Sequence, residues 1–529
     1  MRQIPVLVVG GSLTGLSAAV FLTLHGIPVT VVERRRSVLP HPRLQGITPR
    51  SVELYRQAGL EPGILARCPR SAPAARLVSV RARTLADEHE ALGDPGTAGE
   101  HGAAGPLSPC AFAPLGQDEL ETLLVERLRE QECDLRQGTE LTGFAQDRDG
   151  VRAHLRGPDG RNEAVCARYL IAADGASSGV RRRLGIASHG PGALFHMATM
   201  HVRADLTPAL RGRDIGMAYL ERPAAGTTLG PLDSTGLHWF FATAVADGQP
   251  MDPVAWLRAA TGVPSLDVRL LEQIPGTRQI FTFPVGARVA ERYGAGRVFL
   301  AGDAAHLMPP TGTLGGHTGI EDAHNLAWKL ALVLRGTADR ALLTTYDEER
   351  RPVAERNMRQ SYLRGRARWR LAGYADDEPP ADLDTLMFGS SYRSPAVPGA
   401  PDDGQLLEPA GELQGAPGTR APHVHVVQDG APPVSTLDLY GTDFVVLVGP
   451  RGDGWAEAAH RAGRALAAPV DVYHLDQELA APHGLGPEGA LLVRPDGHVA
   501  WRAPHGADDA DARFAQALRA VLARPAPRS

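Results

Sequence analysis

Short apolar runs alternate with helical spacing from the first residues of the chain. Ile4 to Val9 (Ile-Pro-Val-Leu-Val-Val) reads as a buried strand. Leu16 to His25 reads as a helix, and Gly26 fits its C-terminal stop. Val29 to Val32 is a second buried strand. Together they form a βαβ unit of about 30 residues, which predicts a parallel sheet. Ile4 to Leu24 carries no charge and has the length of a membrane span or signal segment. Gly10, Gly11, Ser12, Thr14 and Gly15 interrupt it, which is the pattern of strand, tight turn and helix.

The pattern then changes along the chain. Residues 84–108 are rich in Gly, Ala, Asp and Glu and read as a loop, and Leu115 to Glu132 as a helix. Alternating segments at 141–156 and 164–173 predict strands around the Pro158-Asp159-Gly160 turn. Between 196 and 285, His196–Val202, Ile215–Leu220, Leu237–Ala244 and Arg278–Phe283 predict an antiparallel sheet with a few helices. Val298–Ala301 is a further buried strand, followed by a loop and a helix from about Gly319 to Arg335. Residues 340–372 form a charged helical stretch. A Pro/Gly/Asp-rich linker at 396–420 precedes an α/β pattern over 421–529. Its strands fall near 441–448, 470–474, 490–494 and 498–502, and its helices near 454–467 and 510–523. These patterns divide the chain into a discontinuous unit (1–72, 106–180, 285–395), an inserted unit (73–105, 181–284) and the C-terminal unit.

Composition narrows the function. The chain has 529 residues, enough for three to four domains at ~150 residues each. A hydrophobic fraction of 43% with 22% charged residues is that of a soluble globular chain, not of a disordered one. Net charge is −5, so no global positive field recruits nucleic acid or an anionic membrane. Lys329 is the one lysine. Cys68, Cys110, Cys133 and Cys166 form no CxxC and no metal-ligand spacing, which fits thiols in a reducing cytoplasm and no metal site.

Three motifs carry chemistry. Gly10-Gly11-Ser12-Leu13-Thr14-Gly15 follows a strand and opens a helix, as a dinucleotide fingerprint does. Gly10 permits the turn, Gly15 lets the helix approach the sheet, and Ser12 replaces the middle glycine. Glu33 ends the second strand, where an acid can accept both hydroxyls of an adenosine ribose. Asp174-Gly175 follows the strand Arg168–Ala173, at the carboxyl end where open α/β sheets bind ligands. Gly302-Asp303-Ala304-Ala305-His306 follows another buried strand and leads through Pro309-Pro310 to Gly312-Thr313-Leu314-Gly315-Gly316-His317-Thr318-Gly319. Such a glycine run brings backbone N–H groups close to a flat ligand.

With these motifs in this order, the chain resembles the para-hydroxybenzoate-hydroxylase-like, FAD-dependent class A monooxygenases of the aromatic polyketide hydroxylase type. The resemblance implies a Rossmann-like FAD-binding domain and a mixed-sheet α+β substrate domain. The tail, with Gly418–His423 and Val493–Arg502, resembles the thioredoxin-like C-terminal domain of such hydroxylases, here without Cys. By resemblance, Gly10, Gly11, Ser12, Leu13, Thr14 and Gly15 meet the FAD pyrophosphate, and Glu33 the ribose. Arg43 lies near the flavin and its phosphates, Gln117 contacts the FAD backbone, and Asp174 serves FAD and NADPH. Gly302 and Asp303 hold the ribityl region, and Gly315, Gly316, His317 and Thr318 line the pyrimidine edge. His317 and Glu321 stand where the family has Asn and often Gln. Arg34, in Arg34-Arg35-Arg36, suits either solvent or the NADPH 2′-phosphate.

The implied reaction uses FAD, NADPH and O2, passes through a flavin C4a-hydroperoxide, and hydroxylates a polycyclic aromatic, polyketide-type phenol. Pro310 and His317 are candidate catalytic positions beside the flavin, and Arg393 a candidate for phenolate stabilisation. Tyr219, His238, Trp239 and Phe241 are candidate substrate contacts on the predicted sheet. Baeyer–Villiger insertion or oxidative rearrangement of a quinone, antibiotic-inactivating monooxygenation, and a flavin-binding partner without turnover are the alternatives. The tail suits either a homodimer contact or a cover over one flank of the flavin domain.

Overall fold

The computed structural model describes residues 2–38, 46–68, 78–92, 105–233, 235–246, 252–274, 276, 278–371, 379–401, 403–426 and 434–525. Strand β1 (Arg2–Val9) pairs in parallel with β2 (Val29–Glu33) on one side and β3 (Asn162–Ala172) on the other. Val6 lies opposite Val29, and Leu7 opposite Leu170. The short strand Val298–Leu300 extends the parallel set beyond β3, and Asp134–Gln137 extends it beyond β2. Val6, Leu7, Val8 and Val31 are fully buried, as expected for strands covered on both faces. Helix α1 (Leu13–Leu24) covers one face, packed between α3 (Gln117–Glu130) and α4 (Leu314–Arg335). Between α1 and α3 in the chain lies α2 (Pro49–Gln57), N-capped by the Thr48 hydroxyl. The long α5 (Thr345–Trp369) follows α4 and packs against it.

This order brings four motif-bearing strand ends to one edge. Beyond β1 comes Gly10, at the end of β2 stands Glu33, beyond β3 comes Asp174, and beyond Val298–Leu300 comes Gly302. Gly10 has a φ of 108°, and a Cβ there would lie 2.1 Å from the Ala173 carbonyl oxygen. A Cβ on Gly15 would lie 1.8 Å from the Gly10 oxygen. Only glycine fits at either point.

A second, nine-stranded sheet is built mainly from β4 (Ser188–Arg203), β5 (Ile215–Leu220), β6 (Thr227–Pro231), β7 (His238–Val245) and β8 (Ile280–Ala290). The spatial order is β8-β4-β7-β6-β5, with Val78–Ala82 beyond β5. Its two faces differ. One buries Met200, Val202, Trp239 and Phe241 against Trp256 and Leu257 of helix Pro253–Thr261. The other carries Met197, Ala242 and Val285 toward Trp369 at the end of α5.

The C-terminal unit runs β9 (Phe444–Val448), α6 (Asp453–Leu466), β10 (Val470–His474), β11 (Ala490–Val493), β12 (Val499–Ala503) and α7 (Ala510–Val521). β9 and β10 are parallel, β11 and β12 antiparallel, in the order β10-β9-β11-β12. Phe444, Val446 and Trp455 share one continuous apolar core with Trp328 of α4. The expected α/β architecture, with its mixed-sheet and C-terminal parts, is present.

Some boundaries differ from the sequence reading. The helix expected from Gly319 begins at Leu314. The glycine pair that reads as a loop occupies its first turn, where backbone amides need no helical partner. β4 begins eight residues before the expected His196, because Gly190 and Gly192 interrupt its apolar pattern. Among the described residues, no helix is long and apolar enough to cross a membrane, and no group of His, Cys, Asp and Glu could hold a metal ion.

Candidate active site

The edge where the four strands end is built by backbone as much as by side chains. The Gly11 N–H donates to Glu33 Oε2 at 2.7 Å, and the Arg35 N–H to Glu33 Oε1 at 2.8 Å. The carboxylate is thereby fixed at the end of β2, with lone pairs left for an outside donor. Ser12 directs its hydroxyl to Glu121 Oε1 at 2.6 Å, and Gln117 Nε2 donates to the same oxygen at 2.6 Å. The Leu13 N–H joins them at 3.0 Å. Glu121, buried on α3, therefore gathers Ser12 and Gln117, and the sequence reading assigned it no role. Thr14 turns inward: a Cβ on Gly302 would lie 2.4 Å, and one on Gly319 2.5 Å, from its hydroxyl. The first turn of α1, the second turn of α4 and the Gly302 turn thus meet at one tight junction.

The remaining expected residues are placed as follows. Asp174 accepts the Val180 N–H at 3.1 Å through Oδ2, while its buried Oδ1 has no partner among the described residues. Asp303 is exposed in the turn that follows Val298–Leu300, and Pro310 is exposed further along the chain. Gly315 and Gly316 lie in the first turn of α4, which has no side-chain cap. Thr318 faces the interior and accepts Asn357 Nδ2 at 2.9 Å. His317 turns its Nδ1 to Ser51 Oγ (2.8 Å) and Thr48 Oγ1 (3.4 Å), clipping α4 to the start of α2. Burial pulls its pKa down to about 4, so the ring is neutral near pH 7. Arg34 is exposed. Arg43 lies outside the described residues.

Two of the four substrate expectations, Trp239 and Phe241, need correction. Trp239 and Phe241 belong to the core on the far side of the sheet, and Trp239 Nε1 donates to the Ala204 carbonyl at 3.2 Å. His238 pairs with Asp233 at 2.6 Å near the chain turn that precedes β7. Arg393 is tied to Ser391, Asp403 and Glu408 in the linker. Period two correctly separates the two faces, but the sequence does not say which face looks toward α5. Tyr219 does face α5. Register places it opposite Thr228, which is opposite Ala242, on the face that carries Trp369. The Arg368 guanidinium of α5 stacks on the Tyr219 ring at 3.5 Å.

Sequence reasoning also missed a buried ionic system behind the edge. Asp322 Oδ2 accepts the Gly302 N–H (3.2 Å) and pairs with His306 Nε2 (2.9 Å). Its Oδ1 accepts from Arg350 Nε at 2.9 Å. Burial alone would raise the Asp322 pKa, but His306 and Arg350 overcome it and hold the carboxyl below its usual range. Deeper, Glu349 accepts from Lys329 (2.7 Å), Asn325 (2.8 Å) and Ser394 (2.6 Å), and pairs with both terminal nitrogens of Arg494 (2.7 and 2.8 Å). Arg494 also pairs with Asp496, which accepts from Trp328 Nε1 at 3.1 Å.

The edge fits an adenine dinucleotide. A glycine cradle approaches closely, the first turn of α4 is uncapped, Glu33 is anchored, and one Asp174 oxygen is orphaned. Comparison with known proteins agrees. Residues 3–361 match the FAD binding domain model, and residues 414–525 the aromatic-ring hydroxylase C-terminal model. The chain belongs to the FAD-dependent aromatic-ring hydroxylases. This hydroxylase is 40% identical to the tetracenomycin B2 monooxygenase-dioxygenase of Streptomyces olivaceus, over 99% of both chains. It is 38% identical to the 4-methyl-5-nitrocatechol 5-monooxygenase of a Burkholderia species, over 99% of this chain and 98% of the other. Its structure matches that of aklavinone-11 hydroxylase in complex with FAD and aklavinone, with a TM-score of 0.88, 35% identity, and 99% and 100% of the two chains covered. The hydroxylase is thus an FAD-dependent monooxygenase.

Proposed function

We propose that this monooxygenase hydroxylates a polycyclic, polyketide-type phenol at the expense of NADPH and O2. One oxygen atom enters the ring, the other leaves as water, and NADPH supplies the two electrons. The observation that carries the substrate class is the face of the second sheet turned to α5. Phe195 on β4, Phe240 on β7 and Tyr219 on β5 lie on it, with Trp369 packed 5.1 Å from Phe195. From β4 to β5 is three strand spacings, about 14 Å, a face as wide as several fused rings rather than one. The relatives with polycyclic aromatic names support this reading, and the nitrocatechol enzyme supports the smaller alternative.

FAD, when bound, supplies the redox and oxygen-transfer chemistry. Gly10 to Gly15, Glu33, Gln117, Asp174, Gly302 and Asp303 would hold it, and the first turn of α4 would meet its pyrimidine edge. The partial positive charge of that helix end favours negative charge on what it meets. Neutral His317 fixes the helix without adding a cation. Arg368 on Tyr219 places a positive charge on the substrate face, where it favours a phenolate, the better nucleophile. The sheet face and α5 exclude water from the reacting ring.

NADPH has a matching feature. Arg182 and Arg288 bond to carbonyls of the turn after Asp174-Gly175, and Arg181 and Arg183, on the helix that follows it, likewise bond only to backbone carbonyls among the described residues. Burial, then the charges of Arg288 and Arg182, pull the Arg181 pKa down, and the opposing charge of Asp174 does not cancel them. Such a cluster suits phosphate groups. The deciding test is NADPH consumption by the FAD-loaded protein with tetracyclic phenols, with 4-methyl-5-nitrocatechol, and without substrate, coupled to product mass. Stimulation by tetracyclic phenols, with one added oxygen in the product, is expected. Stimulation by the nitrocatechol alone would overturn the substrate class.

A further inference from the structure

Arg350 takes no part in the proposed reaction, yet it is a charged side chain sealed in the interior. Its side chain has no solvent exposure. Its N–H groups are divided among Asp322 Oδ1 (2.9 Å), Glu321 Oε2 (3.0 Å), the Tyr392 hydroxyl (2.9 Å) and the Thr318 carbonyl (3.2 Å). Two of these contacts lead to the cofactor edge. Asp322 holds the Gly302 N–H and His306, the two ends of the turn that carries Asp303. Thr318 lies in the first turns of α4, beside His317. The Tyr392 contact leads the other way. Its ring stacks on His498 at 4.1 Å and 23°, and the His498 N–H donates to Asp496 Oδ1 at 3.2 Å. Asp496 pairs with Arg494, which pairs with Glu349, one residue before Arg350 on α5. The guanidinium therefore touches both the carboxylate behind the Gly302 turn and the Tyr392 side chain held by the C-terminal unit.

We infer that Arg350 is a positioning residue that sets the Gly302–His306 turn through Asp322, and that the C-terminal unit tunes this setting through Tyr392. The inference rests on FAD binding at the edge but adds a task for the Cys-free C-terminal unit: bracing the cofactor turn. Planar geometry matters here. Arg350 meets acceptors in several directions at once, which a lysine ammonium on a flexible stem does not reproduce. Tyr392→Phe keeps the ring and its stack on His498 and removes only the hydroxyl that meets Arg350. It is therefore the gentler probe, and Arg350→Met the stronger one.

The experiment compares wild type, Tyr392→Phe, Arg350→Lys and Arg350→Met for FAD dissociation constant, visible circular dichroism of the bound flavin, and flavin midpoint potential. Melting temperature without FAD is recorded alongside. Arg350→Met is expected to weaken FAD about five-fold or more, the usual scale of coupling between sites, and to change the flavin dichroism. Arg350→Lys should recover only part of this. Tyr392→Phe should shift the dichroism and affinity in the same direction by less, with little loss of melting temperature. If Arg350→Met does not fold, Tyr392→Phe decides alone. A folded Tyr392→Phe with wild-type affinity, dichroism and potential would overturn the tuning by the C-terminal unit. The same result in folded Arg350→Met would overturn the positioning role. Wild type that binds no FAD would instead refute the cofactor site itself.

Discussion

Two groups of charges in this molecule sit a short way from the same edge and are built on opposite terms. At the junction with the C-terminal unit, Glu349 and Asp496 face Lys329 and Arg494, every one of them buried and each carboxylate meeting several donors. After the Asp174-Gly175 turn, Arg181, Arg182, Arg183 and Arg288 stand half-buried or exposed, and their partners among the described residues are carbonyl oxygens. The first group is balanced and closed. The second is unbalanced and open. Buried ion pairs contribute little net stability when intact, yet removing one partner strands the other. An open cationic cluster costs self-repulsion until an anion arrives. Matched charges thus mark where the fold is held, and unmatched ones where a ligand is expected.

Breaking the balanced group should have the largest effect. Glu349→Ala removes the acceptor shared by Lys329 and Arg494 and should cost about 3–5 kcal/mol of stability, read by urea denaturation. A variant of wild-type stability would show that the junction is not a closed charge unit. Acid should come next. Burial lowers the pKa of His25 and His317 to about 4 and of His324 to about 3. These folded values lie below the unfolded 6.5, so the unfolded chain binds more protons between the two. Stability should fall as pH drops from about 6.5 toward 4, by up to about 1.4 kcal/mol per pH unit for each histidine. His317→Asn should flatten that slope in a melting series, and an unchanged slope would contradict a neutral buried ring.

The open group should respond in function rather than in stability. Arg288→Ala with Arg181→Ala is expected to raise the KM for NADPH about 100-fold or more, with kcat and melting temperature near wild type, since each lost charged phosphate contact is worth about 1.5–3 kcal/mol. A lower melting temperature at unchanged KM would assign these arginines to the fold. Arg34→Ala is the smallest change. It lies exposed beyond β2, away from that cluster in the sequence, and should leave KM for NADPH within about two-fold, the surface-substitution scale of ±0.5 kcal/mol.

The same contrast explains what was legible in the sequence. Val6–Val9, Val29–Val32 and Val298–Leu300 announce themselves because a parallel strand buried on both faces must be apolar throughout. The motifs at their ends inherit that clarity, so Gly10, Glu33, Asp174 and Gly302 reach one edge as expected. Asp347-Glu348-Glu349-Arg350-Arg351 looks uniformly like a solvated helix face, yet Glu349 and Arg350 are buried while Arg351 is half-exposed. Nothing local distinguishes them. Their partners, Arg494 and Tyr392, lie far along the chain, and only tertiary packing brings them together. Glu121 was hidden for the same reason: its role depends on where α1 begins relative to α3. Trp239 and Phe241 were misplaced because alternation sorts residues by face without ranking the faces.

The burial of Lys329 has a practical consequence. The one lysine side chain of the protein is sealed between Trp328, Glu349 and Arg494. Amine-reactive dyes, cross-linkers and acyl donors therefore meet no lysine on the folded surface. A labelled Lys329, found by peptide mapping, would be a direct record that the junction between α4, α5 and the C-terminal unit had opened.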